Sequence, residues 1–199
     1  MYKIKDINYN KTKFLSEEVI YYHKILYKRY LDRLNALLVK NNHDFNIKKE
    51  NIVNNLEIFP IEDRGNILFN LGGVLNHELY FDNIEPTKNV SNNEIINKII
   101  LEYGSILEFK NIFKSTALKL VGSGYTFLVI DKNNKLKIIN MTNQETSLSI
   151  GYKPLIALDL WEHAYYLQYN VNKEEYIDNF LNNLNFGNIN KVYLDNTSE

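Results

Sequence analysis

The sequence predicts an α+β protein: an N-terminal antiparallel helical hairpin over residues 1–87, followed by a C-terminal α/β domain over 88–199 with a three-stranded antiparallel sheet. Three observations predict it. In the first half, apolar residues recur at three- and four-residue steps, and a polar connection separates two long helical segments. In the second half, Phe127–Asp131 and Lys135–Asn140 flank Lys132-Asn133-Asn134, the pattern of a β-hairpin. A third apolar run led by proline, Pro154–Leu158, reads as a buried strand that ends at Asp159.

Each element has a local cause. Ser16-Glu17-Glu18 opens the first helix with a capping residue and early acids. Val19, His23, Leu26, Tyr30, Leu34 and Leu37 then form the expected buried stripe, while Lys24, Lys28, Arg29, Asp32 and Arg33 fall mostly on other faces. This helix turns a histidine toward the core. The Asn- and Lys-rich stretch from Asn41 to Asn55 reads as a polar connection with a short helical piece, and a second helix is expected from Glu62 to Asp82. Inside it stand Gly72 and Gly73, each disfavoured by about 1 kcal/mol relative to alanine in a helix interior, so a packing reason is expected. Either two helices approach closely there, or the space beside His77, one turn later, admits a group from elsewhere. After Pro86 two helices are expected, Asn92–Glu102 and Ser105–Lys119, and then the strands. The aromatic-rich run Trp161–Tyr169 begins the helices that follow the sheet.

A chain of 199 residues suits one large domain or two small ones sharing an interface, and 45% hydrophobic residues suffice for a core. Formal charge is −1 with dispersed Lys and Arg, so no nucleic-acid partner is expected. There are no cysteines, which excludes disulfides, thiolate metal sites and cysteine nucleophiles together. The first twenty residues hold no signal-peptide core and no later run reaches the length of a membrane span, so a cytoplasmic location and no membrane partner are expected.

Chemistry concentrates at a strand-to-helix junction. Asp159 and His163 are four residues apart, and a carboxylate plus an imidazole can share one metal ion, with iron or manganese among the plausible guests. Bare Asp-x-x-x-His spacing is also met where the Asp ends a strand and the His is an ordinary core residue. Of the four histidines, His43 stands apart in the polar connection.

The string Asp159-Leu160-Trp161-Glu162-His163-Ala164-Tyr165-Tyr166 resembles the signature of the iron/manganese superoxide dismutase family. The resemblance extends through Asn76-His77-Glu78-Leu79-Tyr80-Phe81, Gly104-Ser105 with Phe109-Lys110, Gly122-Ser123-Gly124 and Asn143-Gln144. It implies that His23, His77, Asp159 and His163 hold one manganese or iron ion per subunit, that superoxide is the substrate, and that Tyr30 and Gln144 serve the catalytic proton network. It also implies a homodimer or homotetramer, with Glu162, Tyr166 and Trp161 at the subunit contact and around the site. A glycine at position 73 paired with Gln144 from the later sheet is the manganese-type pattern.

Departures from the family pattern cluster in the first helix. His23 and Tyr30 are seven residues apart where eight is usual, so the family's one-residue bulge is missing and a straight helix is expected. The family's histidine pair is replaced by Leu26 and Tyr27. Tyr125 and Phe127 stand where tryptophans are usual, and Leu75 and Phe81 fill two further positions that are commonly aromatic. The alternative function is therefore a superoxide dismutase-like structural or interaction protein with weak or no activity.

Overall fold

Ser16 starts the first helix, α1 (Glu17–Lys40): its Oγ accepts a hydrogen bond from the Val19 N–H at 3.3 Å, and Glu17 and Glu18 occupy the first turn. The structure, a computed structural model, describes residues 1–6, 14–85 and 93–197. The expected junction at 87/88, like Pro86, lies outside the described residues. The connection after α1 carries a short helix, α2 (Lys49–Ile52), and leads to α3 (Ile61–Ile84).

Contacts between α1 and α3 run in opposite directions along the two helices. His23 meets Phe81, with ring centroids 4.9 Å apart; Tyr30 lies over Gly73; Lys40 bonds Asp63 at 2.8 Å. The pair is thus an antiparallel hairpin. Its buried stripe on α1 differs from the expected one. Beyond His23 the deep positions are Tyr27, Leu31, Leu34 and Leu38, whereas Leu26, Tyr30 and Leu37 are only half-buried. Four-residue steps from Val19 through Leu31 keep one row against α3, and Tyr27 tolerates that depth because its hydroxyl is satisfied. It donates to Glu78 Oε1 at 2.7 Å and accepts from the Lys5 N–H at 3.0 Å.

Two helices follow, α4 (Glu94–Tyr103) and α5 (Ile106–Leu118). Gly104, at φ 84°, ends the first in a conformation that favours glycine, and Ser105 caps the second by accepting from the Glu108 N–H at 3.0 Å. The sheet is formed by β1 (Gly124–Ile130), β2 (Leu136–Thr142) and β3 (Lys153–Asp159) in the order β2-β1-β3, with both pairings antiparallel. The first strand starts three residues before its expected beginning at Phe127. At the hairpin, Asp131 Oδ1 accepts from the N–H groups of Asn133 and Lys135, and Asn134 takes φ 56°, which asparagine tolerates.

β1 is buried along its whole length. Tyr125, Phe127 and Val129 pack with Ala157 on one side, while Leu128 and Ile130 join the main core with residues of α1 and α3. A register shift opposite Leu128 and Val129 leaves Leu155 as an extra residue, so the consecutive Leu155 and Ile156 both enter the main core. β3 is an edge strand, and α3 covers it. The side chain of the buried Asn83 donates to the Leu155 carbonyl at 3.0 Å and accepts from the Ala157 N–H at 2.8 Å, pairing edge groups that would otherwise be buried without partners.

Three helices complete the chain: α6 (Glu162–Tyr169), α7 (Lys173–Asn182) and α8 (Phe186–Thr197). From α7 the fully buried Tyr176 hydroxyl donates to the Asp159 carbonyl at 2.9 Å and lies 3.1 Å from the Tyr80 hydroxyl, tying the end of β3 to α3. Among the described residues no helix is long and apolar enough to cross a membrane.

Replacing Asn83 with Leu removes both bonds to the β3 edge and leaves two buried backbone groups unpaired. The expected loss is about 2–3 kcal/mol in urea unfolding, with an unchanged slope. A loss below about 0.5 kcal/mol would show that Asn83 does not secure the edge.

Candidate metal centre

The end of β3 and the start of α6 hold Asp159 and His163, and the hairpin brings His23 from α1 and His77 from α3 to the same point. One ligand atom from each of the four lies within 4.8 Å of those of the others. Asp159 Oδ2 is the common neighbour. It lies 3.1 Å from His23 Nε2, 3.4 Å from His163 Nε2 and 3.9 Å from His77 Nε2. His23, His77 and Asp159 are fully buried, and the His163 side chain is 20% exposed.

Local bonds set each orientation. His77 Nδ1 sits 2.6 Å from the Gly73 carbonyl one turn earlier, which fixes the ring and aims Nε2 at the cluster. Asp159 Oδ1 accepts from the Trp161 N–H at 2.9 Å, as suits a carboxylate at a helix start. α1 runs unbroken through His23 and Tyr30, so the seven-residue interval is met by a straight helix that keeps both residues on the α3 side. His43, by contrast, packs with Tyr2, Phe45 and Phe59, far along the chain from the cluster residues.

Burial holds the His77 imidazole neutral by pulling its pKa down to about 3, with the neighbouring His23 acting in the same sense. His23 is also lowered, chiefly by burial. Burial pushes the Asp159 carboxyl upward, but the adjoining His163 and His23 outweigh it and hold the group well below the usual carboxylate range. The result is an ionised carboxylate facing two neutral buried imidazoles. Three ring nitrogens of the cluster, His23 Nδ1, His77 Nε2 and His163 Nε2, are buried without a hydrogen-bond partner, and the last two face Asp159 Oδ2. A cation bound to this borderline N/O donor set satisfies those two and compensates the buried charge, so the residues fit a manganese or iron ion.

The expected network residues also converge. Gln144 is 1% exposed, and its Nε2 donates to the Tyr30 hydroxyl at 3.3 Å. Asn143, at φ 50°, turns the chain after β2, and Asn76 holds the turn to α3 by donating to the Glu145 carbonyl at 3.0 Å. The glycine pair divides its work differently from the expectation. A Cβ on Gly72 would stand 1.8 Å from the Gln144 carbonyl oxygen, and one on Gly73 would stand 2.5 Å from the Tyr30 ring. Gly72 therefore admits the Gln144 turn, while Gly73 makes the close helix-to-helix contact. Trp161 lies beside His163, with ring centroids 5.8 Å apart, and donates from Nε1 to the Asn143 carbonyl at 3.1 Å. Glu162 and Tyr166 are exposed on α6.

Sequence reasoning names Tyr125 and Phe81 only as changed aromatic positions and Tyr80 only within a motif, and it assigns none of the three a contact with a ligand. The Tyr125 hydroxyl donates to Asp159 Oδ2 at 2.8 Å, and the rings of Tyr80 and Phe81 each lie 4.9 Å from that of His23. Tyr125 pairs with Asp159 across the β1–β3 ladder, so only strand register, not spacing, could have revealed the bond. For Tyr80 and Phe81 the signal was present, because both lie within one helical turn of His77.

A family model described as "Iron/manganese superoxide dismutases, C-terminal domain" matches residues 91–192. The match takes in Tyr125, Gln144, Asp159 and His163, whereas His23, Tyr30 and His77 lie before it.

Neutral buried histidines make the metal-free protein acid-sensitive. As pH falls below 6.5, the ordinary histidine value, the unfolded chain binds protons that folded His77 does not take up until about 3. Stability is therefore full above 6.5 and declines toward pH 3, and the depressed Asp159 adds to the loss below 3.8. In denaturant titrations of metal-free protein, His77→Gln should flatten the slope between pH 6 and 4; an unaltered slope contradicts a neutral, buried His77.

Proposed function

Since the chain belongs to the iron/manganese superoxide dismutase family, we propose that it is an active superoxide dismutase that uses one manganese or iron ion per subunit. The ion is held by His23, His77, Asp159 and His163. The observation that carries this reading is the buried ionised Asp159 facing imidazole nitrogens that have no other partner. When bound, the ion supplies the one-electron alternation by which one superoxide is oxidised to dioxygen and another, with two protons, is reduced to hydrogen peroxide.

The chain's own residues would manage protons and access. Burial raises the Tyr30 phenol above its ordinary value, so the hydroxyl stays protonated near neutral pH and can pass a proton inward while accepting from Gln144. The positive charge of Arg33 acts on the same tyrosine and favours approach of an anion there. Tyr125, Phe127 and Trp161 pack together as an aromatic wall that keeps bulk water from the cluster. Gln144 reaches the site from the turn after β2, which Gly72 admits, and Gly73 leaves room for the Tyr30 ring that Gln144 bonds; a glycine at 73 together with Gln144 is the pairing that favours manganese. The exposed Glu162 and Tyr166 are assigned to contact with a second copy in a homodimer or homotetramer.

One observation favours the second reading, a relative that keeps the fold without the activity. Where the family has its histidine pair, Tyr27 is turned into the core onto Glu78, and Leu26 offers no hydrogen bond. Metal analysis paired with a superoxide-consumption assay decides between them. The expected result is close to one manganese or iron per chain with rapid consumption of superoxide. His77→Ala and Asp159→Ala should lose most bound metal and at least about a hundredfold of the activity, in line with removal of groups on which a metal site depends. Folded, fully loaded protein that consumes no superoxide establishes the second reading. His23→Ala with full metal content and an unchanged optical spectrum would remove His23 from the ligand set.

A further inference from the structure

Asp159 Oδ2 has three imidazoles and a phenol around it, all within 3.9 Å. Tyr125 is fully buried, is the β1 residue directly paired with Asp159, and donates its hydroxyl to that oxygen at 2.8 Å. A carboxylate oxygen has about two lone-pair directions; the Tyr125 bond takes one, and His23 Nε2 lies 3.1 Å from the same oxygen, where a cation shared by the two would stand between them. The same hydroxyl lies 3.4 Å from His77 Nδ1, but that nitrogen is already engaged by the Gly73 carbonyl at 2.6 Å, which leaves Asp159 as the partner of Tyr125. A residue without a hydroxyl at this place would remove the shorter of the two hydrogen-bond contacts to Oδ2.

Resting on the metal reading above, we propose that Tyr125 is a positioning residue that tunes the bound metal through Asp159. Its O–H withdraws charge from the ligand oxygen, weakens that oxygen as a donor, and shifts the metal couple toward the divalent state. The physical basis is that hydrogen bonds to a ligand atom reduce the charge it presents to the metal, and a trivalent ion loses more by this than a divalent one. The hydrogen bond also fixes the carboxylate plane. Oδ1 is held by the Trp161 N–H and Oδ2 by Tyr125, so both oxygens are pinned before any ion arrives.

The test is the midpoint potential of the metal-loaded protein, measured for the wild type and Tyr125→Phe at matched metal content. The variant should favour the trivalent state by on the order of tenfold at a fixed ambient potential, a shift of ~59 mV to lower potential for a one-electron couple. An unchanged or higher potential overturns the proposal while leaving the metal reading intact. Wild-type protein that binds no iron or manganese overturns both. Should the Phe variant not fold, the iron-loaded wild type decides: a neutral donor gives no phenolate-to-iron charge-transfer band, and such a band, showing a coordinated phenolate, overturns the donor role.

Discussion

A charged carboxylate at zero exposure is the constraint around which the molecule is arranged. An unpaired ion at such depth is untenable, and Asp159 is surrounded accordingly. A backbone N–H and a phenol hold its two oxygens, three imidazoles crowd Oδ2, and the Tyr176 hydroxyl takes its main-chain carbonyl. These partners come from α1, α3, β1, α6 and α7, so the helical hairpin and the sheet meet at this one side chain. Proximity alone leaves His77 Nε2 and His163 Nε2 without partners beside the charge, and a cation would complete the set.

Bringing so many elements to a single point demands close backbone approach, and the glycine pair of α3 permits it. One glycine admits the main chain of the Gln144 turn and the other the ring of Tyr30. Two residues that are unfavourable in a helix interior thus place the amide and the phenol of the proposed proton path within hydrogen-bond distance of each other. The edge of β3 is secured by similar means, through a buried asparagine that replaces a neighbouring strand.

Much of this was legible in the sequence because it is local. The cap at Ser16, the turn at Asp131–Asn134 and the cap at Ser105 each depend on side chains within a few residues. His77, Asp159 and His163 were legible through a resemblance whose motifs surround them, and His23 through its place on the apolar stripe of the first helix. What stayed hidden depends on relations between distant segments. The burial of Tyr27 in place of Leu26 is set by Glu78 and Lys5, and the Tyr125–Asp159 bond by strand register. The division of labour between Gly72 and Gly73 is set by how far the later turn reaches. Periodicity locates a helix face only to within one residue, and at α1 that margin separates a half-buried leucine from a buried tyrosine.

The central claim is that the four side chains meet at Asp159 to hold one ion. Anomalous diffraction from crystals of the metal-loaded protein, recorded at the manganese and iron absorption edges, tests it most directly. The account predicts one strong peak per chain, within bonding distance of His23, His77, Asp159 and His163 together. A peak elsewhere, or one that His23 or His77 does not reach, contradicts it.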